Sequence, residues 1–339
     1  MTQADFGAVV ASLDAAVDER QLQAALARGN QAVVDALTAH TPALTLAAAW
    51  SQVVSRAVAA AARVVGGDGV GWTWFVSGSV GRGEAIPGSD VETLITLDDG
   101  VDPDGKARAM DLAAEAHGVL ERGRVYGDTN GVLASRGRFC RRWASWAEGI
   151  EKWCAEPAQD RGVVMTGLLA DSVALDGADE LRSRTLAAAA RHPGALRAML
   201  QDATAPRATI PSRLRVFATH VDNVDVKQAA VEPVVKIARW AAMAAGSDAL
   251  CTFQRLDHAA AAGTLDADDA TSLTDCYSSV SQIRWRRRAA AWIDGRPISG
   301  LVSLYSLSPQ ERATLRQIGR EVNGVRRKLA FLASTPSFR

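Results

Sequence analysis

An excess of either charge is missing from this sequence: its 339 residues carry 38 Lys plus Arg against 38 Asp plus Glu, with no long block of one sign. General nucleic-acid binders concentrate positive charge on one face, so long polyanions are not expected as partners. Cysteine is scarce and scattered. Cys140, Cys154, Cys251 and Cys276 form neither a CxxC pair nor a Cys/His cluster at zinc spacing, and they read as buried thiols of a reducing compartment. Long apolar runs are also lacking. The stretch from Val53 to Val65 is interrupted by Arg56 and Arg63, and no run reaches the roughly 20 residues that cross a bilayer, so no membrane partner is expected. Residues 1–8 lack the basic flank and apolar run of a signal peptide, which points to the cytoplasm. The histidines are scattered, with none near a plausible nucleophile, and none is assigned a catalytic role.

What is present is nearly half apolar and divides by periodicity. Val9, Leu13, Val17, Leu22 and Leu26 recur at helical steps, giving an N-terminal helical arm over residues 1–66. Trp72 to Val76 has the aromatic and β-branched content of a strand, and Val91 to Leu97 reads as a buried second strand. Helical periodicity returns over Lys106 to Leu120, and Gly131-Val132-Leu133-Ala134 reads as a short third strand. Strand, helix and strand thus alternate over residues 67–178. From Arg138 onward the pattern is almost wholly helical, and residues 179–339 form a helical region punctuated by proline and glycine. The fold class is α+β, a small α/β domain flanked by helices.

The run that carries chemistry is Val76-Ser77-Gly78-Ser79-Val80-Gly81-Arg82-Gly83-Glu84, followed by Ser89-Asp90-Val91-Glu92. A strand that ends in Gly-Ser and turns into a helix gathers backbone N–H groups and the Ser79 hydroxyl at one spot, which suits a phosphate. Asp90 and Glu92, two apart along a strand, emerge on one face while Val91 and Thr93 point the other way. Hard oxygen ligands in that arrangement suit Mg²⁺, or Mn²⁺, completed by water and substrate phosphates. Either half alone has a plain reading: a turn, and a solvated strand face. Together they favour a nucleotide site. Arg82 has two readings, a bidentate clamp on a triphosphate oxygen and a pair with Glu84 across the turn.

These residues are recognisable. Gly78-Ser79-x-Gly81-Arg82-Gly83-Glu84 with Ser89-Asp90-x-Glu92 resembles the signature of the polymerase-β-like nucleotidyltransferases, in particular the bacterial proteins related to the uridylyltransferase of the PII nitrogen-signalling protein. Gly131 to Ser135, Trp143, Trp153, Asp171 and Gly177 are similar to further segments of that family. Asp225-Val226-Lys227, Ile237-Ala238-Arg239 and Thr252-x-x-Arg255-Leu256 are similar to its helical substrate-binding domain. The resemblance implies transfer of a nucleoside monophosphate from a nucleoside triphosphate to an acceptor, with a regulatory protein as the implied acceptor. It also implies Asp90 and Glu92 as catalytic metal ligands, Gly78, Ser79, Arg82, Lys227 and Arg239 as nucleotide contacts, and Asp171 as a candidate third catalytic carboxylate beside Asp128.

Three positions depart from the family pattern. Glu92 stands where Asp is usual, Val173 where an arginine is usual, and no third carboxylate is obvious. Two alternatives therefore stay open: a nucleotide-binding regulatory protein of the same fold without turnover, and a small-molecule nucleotidyltransferase. In the helical region Trp143, Trp146 and Trp153 share one side of a helix and read as core. Arg284, Arg286, Arg287 and Arg288 read as a solvated helix face unless they line a cleft.

Overall fold

The computed structural model describes every residue except 1–2, 67–69, 178, 206–209, 212–221, 295, 297, 299 and 335–339. The chain folds as two compact units, one made of residues 1–152 and 168–185, the other of residues 153–167 and 186–339. The class is α+β, with a small mixed sheet and helical flanks.

In the first unit, helices α1 (Gln3–Asp14), α2 (Glu19–Thr38) and α3 (Ala43–Val64) pack on one another. Asp18 starts α2 by accepting a hydrogen bond from Gln21 N at 2.7 Å, satisfying one of the N–H groups a helix leaves open at its start. Arg63, near the end of α3, donates to Leu13 O at 2.9 Å and Asp14 O at 3.1 Å and so closes the carbonyl end of α1. With 22 residues, α3 is apolar and long enough to cross a membrane by composition, contrary to the expectation that no run reaches that length. The intervening arginines are too few to break the window, and 61% of it is buried inside the unit.

Strand β1 (Trp72–Ser77) leads into a single helical turn, α4 (Gly78–Gly81), and the chain returns as β2 (Glu92–Leu97). The two strands pair antiparallel from Trp72↔Leu97 to Ser77↔Glu92. Helix α5 (Pro103–Arg122), capped by Asp102, packs on α3, and β3 (Cys140–Arg142) then pairs parallel to β2. Helices α6 (Trp143–Ala155) and α7 (Gly162–Ala170) follow, and β4 (Val173–Ala174), which precedes α8 (Glu180–Arg191), pairs antiparallel with Val76 and Phe75 of β1. The sheet order is β3-β2-β1-β4, so β1 is central.

Gly131 to Ala134 is not a strand. One backbone bond, Thr93 N to Val132 O at 3.1 Å, joins it to β2. Its other link runs through a side chain, with Ala134 N donating to Thr93 Oγ1 at 2.9 Å. That leaves no ladder to propagate.

In the second unit, β5 (Asn223–Asp225) leads into a π-helical turn over Lys227–Val231 and then α10 (Glu232–Ala244). The wide turn has a local cause: Pro233 has no N–H to give the Ala229 carbonyl, and Glu232 N bonds five residues back to Lys227 O. Helix α9 (Pro193–Thr204) packs on α10 and on α13 (Pro309–Ser334), while α11 (Thr252–Ala261) and α12 (Ala267–Ile293) complete the helical layer. Lys236 and Asp202 pair at 2.8 Å between α10 and α9. Arg326 of α13 donates to Thr204 O at 3.0 Å and Ala205 O at 2.7 Å, closing the end of α9. Strand β6 (Leu301–Ser303) pairs antiparallel with β5. Trp146 is fully buried and donates to Ile95 O at 2.9 Å, and Trp153 donates to Asp160 at 2.9 Å, so both serve packing.

Candidate functional site

The site begins where β1 ends. Ser77 is buried and donates its hydroxyl to Leu168 O at 2.6 Å, fixing the last residue of the strand. Gly78 then takes φ +59°, which an L side chain rarely adopts, and a Cβ there would collide with the Glu92 carboxylate. Gly81 is required for a different reason: a Cβ would run into the backbone carbonyl of Asp171 and come within 3.2 Å of Val76 O. The turn closes with Arg82 N to Gly78 O at 3.1 Å and Glu84 N to Ser79 O at 2.8 Å. Next, Ala85 N donates to the buried Ser51 hydroxyl of α3 at 2.9 Å, which ties the turn to the core. Because α4 is only one turn long, its macrodipole adds little, and what the turn offers a phosphate is local N–H groups and the half-buried Ser79.

Asp90 lies just before β2, and Glu92 is its first residue. Val91 bridges Gly127, with Val91 N donating to Tyr126 O at 2.9 Å and Asp128 N to Val91 O at 3.1 Å. Thr93 is fully buried and meets His117 Nε2 at 2.9 Å. With Val91 and Thr93 held inward, Asp90 and Glu92 are the half-buried, alternate residues of this segment. Burial pushes the His117 imidazole down to about 4, so at neutral pH it is an uncharged clamp on Thr93.

The other side of β1 brings in Asp171. Arg82 donates through Nε to Glu84 Oε2 at 2.7 Å and through Nη1 to the Asp171 carboxylate. All three side chains are at least nine-tenths buried. In this structure Arg82 holds the turn against Asp171 and Glu84, the pairing reading of the two that its sequence position allows. Asp128 is committed as well, accepting from Val132 N at 2.9 Å and Asn130 at 3.1 Å within its own loop. Among the described residues no group of three or more His, Cys, Asp or Glu is arranged to hold a metal. The side chains that could hold a hard cation are the half-buried carboxylates of Asp90 and Glu92, since Mg²⁺ commonly takes one or two protein carboxylates.

The structure therefore brings Gly78, Ser79, Arg82, Asp90, Glu92 and Asp171 into one unit, around the end of β1. Lys227 and Arg239 belong to the other. There Lys227 is an exposed residue opening the π turn, and Asp225 accepts from Gln228 N at 3.0 Å. Arg239 is half-buried in α10, and a Cβ on Gly167 of α7 would lie 3.0 Å from its Nη1.

Residues 13–160 match the model of a family described as Putative nucleotidyltransferase DUF294, and residues 193–332 match that of the Putative nucleotidyltransferase substrate binding domain. The chain belongs to this family. No curated protein matches it. The glycine turn, Asp90 and Glu92 fall inside the nucleotidyltransferase match, and Lys227 and Arg239 inside the substrate-binding match. Asp171 and β4 lie in the stretch between the two. Composition and motif spacing give no sign of the roles of Ser77, Thr93 and His117 in this nucleotidyltransferase fold, because each acts through a partner remote in sequence.

Proposed function

We propose that the chain is a Mg²⁺-dependent nucleotidyltransferase that moves a nucleoside monophosphate from a nucleoside triphosphate to an acceptor, releasing pyrophosphate. The observation that carries this reading is the placement of Glu92 directly beside Gly78, with Asp90 two residues earlier and the intervening Val91 turned inward. Asp90 and Glu92 would hold Mg²⁺ or Mn²⁺, which when bound neutralises charge on the phosphates. The turn from Gly78 to Gly81 would seat the phosphates through backbone N–H groups and Ser79, fixing the orientation that an in-line displacement needs. Arg82 acts on the turn through Asp171 and Glu84. From the second unit, Lys227 and Arg239 are the proposed cations for the nucleotide. A regulatory protein as acceptor, acting in signalling within the cytoplasm, rests on the resemblance alone.

A second reading, nucleotide binding without turnover, is favoured by one observation. Both acids considered as a third carboxylate are engaged, Asp171 by Arg82 and Asp128 by its own loop. Incubating the pure chain with each labelled triphosphate and Mg²⁺ separates the two. Release of pyrophosphate, lost in Asp90→Asn, supports transfer; metal-dependent binding with no release supports the regulatory reading. Equal binding by wild type and Asp90→Asn overturns the site.

A further inference from the structure

The loop between α5 and β3 runs beside the strand that carries Glu92, and one of its residues holds that strand on both sides of Glu92. Asp128 donates its backbone N–H to Val91 O at 3.1 Å, just before Glu92. Its carboxylate accepts from Val132 N at 2.9 Å, and the Val132 carbonyl in turn accepts from Thr93 N at 3.1 Å, just after Glu92. The span between these two points is closed on itself. Gly131 N donates to Asp128 O at 3.1 Å, and Asn130 donates to Asp128 Oδ1 at 3.1 Å. Gly131 takes φ +86°, the left-handed conformation that turns the chain back so that Val132 reaches Asp128. Asp128 is buried, and both of its carboxylate oxygens are taken up by the loop.

We propose that Asp128 is a positioning residue for the metal strand, acting through the backbone of Val91 and Thr93 to set where the Asp90 and Glu92 side chains emerge. This rests on the reading of Asp90 and Glu92 as the metal-holding pair. The strand needs such a hold because its formal partner stops short. On this edge of β2, β3 pairs over Ile95 to Leu97, and towards Asp90 the same edge bonds the loop instead, with Val91 N on Tyr126 O and Thr93 N on Val132 O. The loop reaches the Thr93 side chain too, since Ala134 N donates to Thr93 Oγ1 at 2.9 Å. Without an acceptor at position 128, Val132 N is left unmade and the Val132 carbonyl is free to leave Thr93 N. A strand end whose edge bonds open is no longer fixed, and a displacement of about 1 Å at a reacting centre costs on the order of a hundredfold in rate. Asp128 thus serves the site as a hydrogen-bond acceptor, and its charge is not what the site uses.

The test compares Asp128→Ala, which removes the acceptor, with Asp128→Asn, which keeps it and removes the charge. In the second variant Asn130 can turn its own carbonyl to the new amide group. Amide hydrogen exchange at Thr93 is the first readout, and it needs no activity. Exchange is expected to speed up at least about tenfold in Asp128→Ala and to stay near wild type in Asp128→Asn. Calorimetry with ATP and Mn²⁺ and assays of pyrophosphate release are expected to follow the same order, with affinity and kcat lowered at least about tenfold by Ala and largely rescued by Asn. Where Asp128→Ala does not fold, Asp128→Glu replaces it, keeping the charge but moving the acceptor, and is expected to fall below Asp128→Asn. Thr93 exchange in Asp128→Ala equal to wild type overturns the proposal. So does an Asp128→Asn variant with protected Thr93 but no pyrophosphate release, which would make Asp128 a catalytic acid. If wild type binds no ATP with Mn²⁺ while Thr93 exchange changes as expected, the metal reading of Asp90 and Glu92 fails and the hold of Asp128 on the strand is upheld.

Discussion

Ser77 and Glu92 face each other across the β1–β2 pair, at the last register position before the chain turns at Gly78. The buried Ser77 hydroxyl fixes the strand end, and the absence of a Cβ at Gly78 leaves the room that the Glu92 carboxylate occupies.

On the proposed reading, that fit suits Glu92 to the metal-holding role. Glu92→Asp withdraws the carboxylate by one methylene, and a displacement of about 1 Å at a reacting centre costs on the order of a hundredfold in rate. Pyrophosphate release is expected to fall by ten- to a hundredfold. An increase would mean that Glu92 is a poor substitute for the usual Asp.

Gly81→Ala inserts a methyl group against the Asp171 and Val76 carbonyls, which are backbone and cannot swing aside. Overpacking of this kind costs about 1–3 kcal/mol, so the melting temperature is expected to drop by several degrees. A variant that melts with wild type would show that α4 does not lie on the Asp171 segment.

Arg82→Met leaves two buried carboxylates, Glu84 and Asp171, without their shared cation. Breaking a buried pair from one side costs about 3–5 kcal/mol. Adding Asp171→Asn removes one orphaned charge, so denaturant unfolding of the double variant is expected to show recovery relative to Arg82→Met alone.

His117 makes stability depend on pH. Its imidazole is held down to about 4 by burial, against 6.5 in the unfolded chain, so between those values the unfolded state binds the extra proton. The contribution is complete above pH 6.5 and is lost as pH falls toward 4. Between pH 7.5 and pH 5 the unfolding free energy is expected to drop by about 2 kcal/mol through this group. In His117→Gln that part of the pH dependence should vanish, which parallel denaturant titrations at the two pH values would reveal.

Local composition made some of this legible and tertiary pairing hid the rest. β1, β2 and α5 carry their own signals: aromatic and β-branched residues in the strands, a 3.6-residue period and an Asp102-Pro103 start in the helix. β3, in contrast, is Cys-Arg-Arg, a strand only because the edge of β2 offers Ile95, Thr96 and Leu97 as partners. Gly131 to Ala134 has strand-like residues yet forms no ladder, since Thr93 meets it with a side chain as well as with its backbone. The turn and its carboxylates were readable as a motif. The ion pair that sets the turn joins positions 89 apart, and no local pattern encodes it. The arginines of α12 misled for the same reason: Arg284, Arg287 and Arg288 are half-buried rather than on a solvated face, and their burial depends on β5, β6 and the π turn.

The discontinuity of the first unit sets an order of synthesis. Residues 1–152 hold the glycine turn and both strands of the central pair, but β4, the Leu168 carbonyl and Asp171 come only with residues 168–185. Until roughly half of the chain has been made, β1 has a bare edge beside Phe75 and Val76, and Arg82 lacks one of its acids. An unpaired strand edge next to apolar side chains is a template for association with other chains. A fragment ending at residue 160, where the nucleotidyltransferase match stops, is therefore expected to collect in the insoluble fraction, and one extended to residue 185 to stay in solution. On this expectation the boundary for a soluble fragment lies past β4, about 25 residues beyond residue 160.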